Sequence, residues 1–324
     1  MSVFVQQQNT VCDFSSPNSW VILSPIEQSI KRKIEAVGTP LKEWDINIYR
    51  GVLTGCNEAF IISSEKRDEI LRNCQTEDER QKTAELIRPI LRGRDIKRYG
   101  YEWANLYLIA TFPARHYNIE DYPSVKDYLL SFAEENLRNA GYDWVADSYL
   151  AEFCKQKLAQ TGKFVEIAGE RIVIGNTPEK ARKKTSNKWF ETQDSISYWE
   201  DFFKPKIVWG NLNLIGAYSY APEGMFVNAP SPFIATSNTA ILHILNSKIA
   251  DYYIRSLGVT RNGGYFEYKP MFVDKFPIPK QGLDALNKFP AQITQEQEHE
   301  ITCIVYDIYG LSLEEIEYIE DRKN

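Results

Sequence analysis

The sequence predicts an α+β protein. Four strand-like apolar stretches predict a twisted, mostly antiparallel sheet region: residues 44–62, 103–112, 163–174 and 205–235. Two long amphipathic patterns, at residues 122–139 and 237–257, predict helices packed on this sheet region. The tail, residues 291–324, also has its apolar residues at helical spacing, so the chain is predicted to end in helices.

The segment before the sheet region is predicted to be an extended entry followed by a connector helix. Ser24 is the expected N-cap, with Pro25 at the first helical position and Glu27 completing a capping box. Gly38 is expected to end this helix. The predicted division of the chain has three parts: an N-terminal extension with the connector helix (1–43), a central domain (44–280) and an acidic helical tail (281–324).

The stretch YRGVLTGCNEAFII, residues 49–62, is predicted to form the turn and second strand of a hairpin. Its glycines permit either a tight turn or a close approach of the backbone to a ligand. Two helices are predicted next, at residues 64–73 and 76–87, the second with a Thr76–Glu79 capping box. Later predicted elements are a helix at 143–160, a hairpin at 163–174 and an extended exit from the domain at 277–279.

Composition excludes several classes of protein. The 324 residues are 43% apolar and 25% charged, which is ordinary for a globular protein and too apolar for a disordered one. Five scattered cysteines without a CxxC pair, and three isolated histidines, argue against a structural zinc site and favour a reducing compartment. The N-terminus lacks a signal-peptide pattern, and no apolar run is long enough to span a membrane, so we expect a soluble, cytoplasmic protein.

No catalytic motif is recognisable in the sequence. GxGxxG, P-loop, GxSxG and HExxH patterns are missing. The segment Asn228-Ala-Pro-Ser-Pro-Phe233 lacks the adjacent prolines of the Asx-Pro-Pro-aromatic loop of adenine methyltransferases, and no convincing nuclease metal motif is found. We therefore predict no catalytic residue, no metal ligand and no cofactor in this chain.

Positive charge is concentrated in two segments. Residues 88–98 contain five basic residues and one acid, and residues 155–188 contain nine basic residues and three acids. Lysine and arginine side chains of this kind neutralise phosphates, and arginine also pairs bidentately with guanine. A solvated charged surface is the simpler alternative. The net charge of −6 does not exclude a basic groove, because residues 291–324 alone carry nine acids and two basic residues.

An ordered set of segments resembles the target-recognition (specificity) domain of TaqI-like adenine-specific DNA methyltransferases and type IIG restriction-modification enzymes. The segments that carry the resemblance are GVLTGCNEAFII, IRPILRGRDIKRY, WANLYLIATF, YPSVKDYLLSF, KWFETQDSISYWEDFFKPKIVW, FIATSNTAILHILNSKIADYYI and KPMFVDKFPIP, followed by the acidic YDIYGLSLEEIEYIE. The match extends over residues 44–319, with residues 23–37 as the preceding connector helix.

The resemblance implies a module that recognises a duplex DNA sequence on behalf of a catalytic domain. That catalytic domain would be a methyltransferase or endonuclease in the same chain or a separate one, and it would hold the S-adenosylmethionine and Mg²⁺ that this chain is not expected to bind. The residues predicted to contact DNA are Thr54, Asn57, Arg92, Arg94, Lys97, Arg98, Arg182, Lys183, Lys184 and Lys188. Two structural alternatives remain: GVLTG as a plain turn, and Arg94–Asp95 as an internal salt bridge.

Two other functions compete with DNA recognition. The first is a protein-interaction module, in which the connector helix and the acidic tail dock a methyltransferase subunit and DNA affinity is negligible. The second is a complete nuclease with a metal site that the sequence does not reveal. Salt-dependent binding to duplex DNA would distinguish the first alternative, and Mg²⁺-dependent cleavage would identify the second.

Overall fold

The α+β prediction is confirmed by the computed structural model, which describes residues 23–152, 164–173, 186–258 and 260–321. The helices with both ends in these residues are α1 (Pro25–Val37), α2 (Asn57–Phe60), α3 (Ser64–Asn73), α4 (Glu77–Leu86), α5 (Pro123–Asn139), α6 (Thr239–Leu245), α7 (Lys248–Leu257), α8 (Pro270–Val273), α9 (Leu283–Leu286), α10 (Gln295–Tyr309) and α11 (Leu313–Asp321). Short 3₁₀ turns connect several of them. In the described residues no helix is long and apolar enough to cross a membrane.

The strands are short and form several sheets. In chain order they are β1 (Thr39–Pro40), β2 (Ile48–Arg50), β3 (Ile61–Ser63), β4 (Ile87–Leu91), β5 (Ile96–Lys97), β6 (Gly100–Tyr101), β7 (Leu106–Ile109), β8 (Phe164–Ile167), β9 (Glu170–Val173), β10 (Lys206–Trp209), β11 (Leu212–Asn213), β12 (Tyr218–Ala221), β13 (Phe226–Val227), β14 (Pro232–Ala235), β15 (Phe266–Glu267) and β16 (Pro277–Ile278). The central sheet has the order β12-β10-β14-β2 and is antiparallel throughout. A side sheet has the order β13-β4-β7-β3, with β13 parallel to β4.

Two hydrophobic cores lie on opposite faces of the central sheet. Side chains alternate between the faces of a strand, so Val208 of β10 points into one core while Ile207 and Trp209 point into the other. All three are fully buried. The first core also contains the side sheet and α5, and the second contains α1, α6, α7 and the C-terminal helices.

Several local predictions are confirmed. In α1, the Ser24 hydroxyl accepts the Glu27 backbone N–H, and the Glu27 carboxylate accepts the Ser24 backbone N–H. The predicted helices at 64–73 and 122–139 correspond to α3 and α5, and the tail forms α10 and α11. The hairpin at 163–174 is the antiparallel pair β8–β9. The helix predicted at 143–160 begins later than expected, because residues 143–149 form turns and the 3₁₀ turn Asp147–Tyr149, and helical residues start at Leu150. Residues 153–160 and the entry segment 1–22 lie outside the described residues.

The hairpin predicted at residues 44–62 is wrong. Its first strand, β2, pairs with β14 in the central sheet, whereas β3 pairs with β7 in the side sheet. Residues after Gly55 form the short helix α2, so the chain crosses from one sheet to the other instead of turning back. The glycine turn and the apolar flanks could not reveal this, because both partners are distant in sequence. The single sheet region predicted from the four stretches is accordingly split.

The single helix predicted at 237–257 is also wrong, because α6 ends at Leu245 and α7 begins at Lys248. At the break, the Asn246 side chain binds the backbone of Tyr218. Its Nδ2 donates to the Tyr218 carbonyl at 2.9 Å, and its Oδ1 accepts the Tyr218 N–H at 3.0 Å. Ser247 then caps α7 through the Ala250 N–H. The apolar pattern is continuous because both helices pack into the second core.

The extended exit predicted at 277–279 instead closes the fold. β16 pairs with β1, next to the connector helix, and the Tyr309 hydroxyl of α10 donates to the Pro277 carbonyl at 2.7 Å. Glu315 joins α11 to α1, because it accepts hydrogen bonds from the Ser29 hydroxyl at 2.7 Å and from Lys33 Nζ at 2.6 Å. The two ends of the described chain are thus bound to each other.

The buried Glu315 carboxylate gives stability that depends on pH. Burial alone would raise its pKa, but hydrogen bonds, of which the one from Lys33 is the largest, outweigh burial and lower the pKa from 4.5 to about 2. Because the folded-state pKa is the lower one, the stabilisation is complete above about pH 4.5 and is lost as the pH falls towards 2.

We expect Glu315→Gln to lower the free energy of unfolding by about 2 kcal/mol at pH 7, because charged hydrogen bonds are lost from a buried group. The difference from wild type should shrink between pH 4.5 and pH 2. Urea unfolding at a series of pH values measures both effects. The neighbouring exposed Glu314→Gln is the matched control, and equal effects of the two substitutions would contradict the assignment.

Candidate nucleic-acid interface

The first predicted loop has a buried residue and an exposed one. Thr54 is fully buried, and its hydroxyl donates to Asn57 Oδ1 at 2.7 Å and accepts the Cys56 N–H at 3.1 Å. Thr54 therefore braces the loop, which is the structural alternative that the sequence left open. Asn57, at the start of α2, is exposed and is the residue of this pair that the loop presents to solvent.

The second predicted loop contains a salt bridge, but it involves a different arginine from the one expected. Arg92 bonds both carboxylate oxygens of the buried Asp95, with a closest distance of 2.7 Å from Nη2 to Oδ1. The backbone N–H of Arg92 also donates to this carboxylate. Arg94, which was the expected partner, is exposed and makes no ion pair within the described residues. Lys97 is exposed as well, and its Nζ donates to the Arg94 carbonyl at 3.1 Å.

Arg98 connects this loop to the second core. Its guanidinium donates to the Asn246 carbonyl at 2.8 and 3.2 Å, and it pairs with Glu298 of α10. The same group lies 5.0 Å from the centre of the Tyr99 ring. Two of its neighbours, the Asn246 carbonyl and the Glu298 carboxylate, thus already accept its hydrogen bonds. Arg98 therefore holds the loop on the helices at the C-terminal end of the fold.

The third predicted segment is described only in part. Lys188 is exposed. Its Nζ donates to the Tyr117 carbonyl at 3.2 Å and lies 5.5 Å from the centre of the Phe190 ring. Arg182, Lys183 and Lys184 lie outside the described residues. Among the described members of the predicted set, the exposed ones are Asn57, Arg94, Lys97, Arg98 and Lys188. Arg98 differs from Arg94 because its guanidinium is already held by Asn246 and Glu298.

Main-chain hydrogen bonds join the first loop to the turn that follows Lys188. The N–H of Gln193 donates to the Thr54 carbonyl at 3.1 Å, and the N–H of Asp194 donates to the Leu53 carbonyl at 3.2 Å. The Asp194 carboxylate also pairs with Arg50. Two segments that are more than 130 residues apart in the sequence thus form one surface region.

The segment 227–231 is hydrogen-bonded to both the first and the second loop. The N–H of Gly51 donates to the Ser231 carbonyl at 2.8 Å, and the N–H of Asn228 donates to the Leu91 carbonyl at the same distance. At Gly93 a side chain would meet the Ser231 hydroxyl at 2.6 Å. The proline-containing segment is therefore a backbone bridge between the two loops.

Sequence reasoning missed a pocket that contains two arginines and several aromatic rings. Arg88 of β4 lies 5.0 Å from the centre of the Phe203 ring, and Arg115 lies 3.8 Å from the centre of the Trp199 ring. The cavity between them measures about 120 Å³. Arg88 was counted in the basic segment, but nothing in the sequence links it to an isolated arginine 27 positions later or to rings near residue 200.

The described residues were also compared with the requirements of a metal site. No group of three or more His, Cys, Asp or Glu side chains in residues 23–152, 164–173, 186–258 and 260–321 is arranged to hold a metal ion. His243 is buried in α6, where burial lowers its pKa, and its Nε2 lies 3.4 Å from the Phe289 carbonyl. Exposed cations on loops suit the binding of anions.

Residues 88–278, more than half of the chain, match the family described as the TaqI-like C-terminal specificity domain. The chain belongs to this family. The match contains the second loop, the arginine-aromatic pocket and the central sheet, whereas the first loop precedes it. The resemblance inferred from the ordered segments is thereby confirmed.

Several solved structures are similar to this chain, and the first described here shares its fold. One is the type IIL restriction-modification enzyme MmeI in complex with DNA, at a TM-score of 0.50 and 9% sequence identity, with 86% of this chain and 35% of that chain covered. Another is the type IIG restriction endonuclease BpuSI, at a TM-score of 0.47 and 11% identity, with 88% and 28% covered. The specificity domain thus spans about a third of the length of MmeI. No curated protein sequence matches the chain.

The close packing of Gly51 against segment 227–231 predicts that adding one methyl group at this position lowers stability. A side chain at Gly51 would meet the carbonyl oxygens of Val227 and Ser231 at 2.5 and 2.7 Å, and backbone atoms cannot move aside as a flexible side chain can. We expect Gly51→Ala to destabilise the specificity domain by about 1–3 kcal/mol, measured by thermal unfolding. Gly100→Ala, which has nothing within 4 Å, is the control. A neutral Gly51→Ala would contradict the tight approach.

Proposed function

We propose that this chain recognises a duplex DNA sequence for a restriction-modification enzyme. The observation that carries the proposal is that exposed cationic and amide side chains lie on loops fixed to one another by backbone hydrogen bonds, in a member of a specificity-domain family. Arg94, Lys97 and Lys188 are suited to phosphates or guanine edges, and Asn57 is suited to adenine. Arg182, Lys183 and Lys184 extend the proposed set.

The remaining predicted residues are assigned supporting positions in this proposal. Thr54, Arg92 and Arg98 have partners within the chain, so each orders a loop whose exposed neighbours touch DNA. Pre-ordered loops favour binding because less side-chain and backbone freedom is lost in the complex. We propose that residues 44–280 carry the recognition surface, and that 1–43 and 281–324 brace it from the second core.

The catalytic step belongs to another domain in this proposal. An adenine-specific methyltransferase, or an endonuclease fused to it, would supply S-adenosylmethionine and Mg²⁺ chemistry, joined to this chain in cis or in trans. The similarity to MmeI, a restriction-modification enzyme in complex with DNA, supports this division, because the present chain covers only 35% of that protein.

The protein-interaction alternative loses part of its basis. It relied on the connector helix and the acidic tail as free docking elements, yet Ile30 and Ile34 of α1 are fully buried. Glu315 is bonded to Lys33, and Glu320 is paired with Lys248. Because these two elements bind each other, they offer a partner less surface than the sequence suggested.

Binding to DNA is measured in two steps because the recognised sequence is not specified. Selection from a duplex pool with a randomised centre identifies the preferred sequence, and fluorescence anisotropy then gives its affinity at increasing salt. We expect log affinity to fall steeply with log salt, with a slope of about −0.9 for each phosphate contact. Failure to bind at about 50 mM salt, where phosphate contacts are still strong, would refute autonomous DNA recognition.

The same assay tests the named residues. We expect Arg94→Ala and Lys97→Ala each to weaken binding and, where the lost contact is to a phosphate, to reduce the salt slope by about 1. A loss of sequence preference instead would indicate contact with a base. The control is Lys126→Ala, because Lys126 Nζ is already paired with the Glu120 carboxylate at 2.7 Å. Unchanged affinity in both loop variants would remove this loop from the interface.

A further inference from the structure

Two arginines outside the predicted set form a pocket with several aromatic rings. Arg88 projects from β4, Arg115 ends the 3₁₀ turn Pro113–Arg115, and Trp199 and Phe203 come from the 3₁₀ turn Trp199–Phe203. The two rings meet edge to face, with centres 5.9 Å apart. Arg115, Trp199, Phe203 and Arg88 thus form one continuous row of packed groups.

The guanidinium groups in this row are held in place by the aromatic rings, and Glu85 is the acid that acts electrostatically on Arg88. Within the part of the chain that the structure describes, neither Arg88 nor Arg115 has an ion pair or a side-chain hydrogen bond. This contrasts with Arg92, Arg98 and the other arginines that have carboxylate partners. A guanidinium stacked on a ring keeps its planar N–H edge free for bidentate bonding to an oxyanion.

The surroundings of the cavity favour an anion. The charged side chains that line it are Lys82, Glu85, Arg88 and Arg115. Lys82 is paired with Asp78 at 2.6 Å, and Glu85 is exposed to solvent although it acts on Arg88, so the two arginines face one acid without an ion pair among the described residues. About 120 Å³ is available, whereas a single water needs only about 10–15 Å³, so a phosphate group with some of its hydration fits.

The pocket adjoins the proposed DNA surface. Tyr117 lines the cavity, and its carbonyl accepts the hydrogen bond from Lys188 Nζ. Its ring packs edge to face against Tyr122 at 5.8 Å, and Arg115 lies 5.7 Å from its centre. Tyr117 therefore connects the two cations, and a DNA backbone that contacts Lys188 would pass close to Arg115.

We propose that Arg88 and Arg115 form a clamp for a backbone phosphate of the bound DNA. The clamp rests on the proposed function, and it adds a contact that sets the register of the duplex without reading its sequence. Stacking on Trp199 and Phe203 fixes both cations before the phosphate arrives, so little side-chain freedom is lost on binding.

Affinity as a function of salt tests the clamp. We expect Arg88→Ala and Arg115→Ala each to weaken binding to the selected duplex roughly ten-fold and to reduce the salt slope by about 1, equally for all sequences. Arg115→Lys keeps the charge but loses the planar stack on Trp199, so it should preserve the salt slope and lose affinity through the missing bidentate bond and the less firmly held cation. Circular dichroism confirms folding of each variant, and Arg115→Lys keeps the test valid if the alanine variants unfold.

The matched control is Arg67→Ala. Arg67 also lies over an aromatic ring, 4.8 Å from the centre of Tyr107, but it is paired with Asp68 at 3.0 Å. It should change neither affinity nor slope. If wild type binds DNA while the Arg88 and Arg115 variants bind with unchanged affinity and slope, the clamp is refuted and DNA recognition stands.

A second measurement separates the clamp from the proposed function. Sodium pyrophosphate, compared with sodium chloride at equal ionic strength, should shift the Nε–H resonances of Arg88 and Arg115 in a ¹⁵N correlation spectrum and leave that of Arg67 in place. If wild type binds no duplex, DNA recognition fails, and this spectrum alone decides whether the anion site exists. Unshifted Arg88 and Arg115 resonances would overturn the clamp in either case.

Discussion

Burial of strand β10 on both faces is the constraint on which the rest of the fold depends. Ile207, Val208 and Trp209 are fully buried, and consecutive side chains serve different cores. The strand is bonded on both edges, to β12 and β14, so neither its faces nor its backbone meets water. Even Lys206 at its start is buried, with Nζ donating to the Pro222 carbonyl at 2.8 Å, and burial lowers its pKa to about 8.

This double burial explains why distant parts of the chain come together. The first core needs the side sheet and α5 to cover one face of β10, and the second needs α1 and the C-terminal helices to cover the other. Segment 227–231, which leads into β14, is consequently fixed beside β10, and the loops at Gly51 and Gly93 pack onto it. The proposed recognition surface is therefore placed by the core, through backbone contacts that tolerate different side chains above them.

Sequence reasoning predicted what local chemistry determines. Ser24, Pro25 and Glu27 define the start of α1, and the turn at Ala168-Gly169 defines the β8–β9 hairpin, where both residues have positive φ. Prediction from the sequence failed where contacts between distant residues determine the structure. Asn246 breaks a continuous amphipathic pattern because the backbone of Tyr218 binds its side chain better than a helix would. β2 and β3 flank one glycine turn, yet their pairing is decided by β14 and β7.

The basic loop shows the same limit at the level of single residues. Arg92, Arg94 and Asp95 are so close in sequence that either arginine could reach the carboxylate. Asp95 is buried and receives both the backbone N–H and the side chain of Arg92, which sets the 3₁₀ turn Gly93–Asp95 and leaves Arg94 outside.

The distribution of paired and unpaired cations connects charge to function. A chain with net charge −6 has enough carboxylates to neutralise its cations, and many are used in this way, as in Lys33–Glu315 and Arg98–Glu298. Burying a charge costs free energy that only a well-placed partner offsets, so a cation without a carboxylate adds little to the stability of the fold. Arg88, Arg94 and Arg115 are of this kind among the described residues. Arg115 lies near Tyr117, whose carbonyl accepts from Lys188, whereas Arg94 lies on a loop packed against Ser231. Cations of this kind on a fixed backbone suit the binding of an anionic polymer.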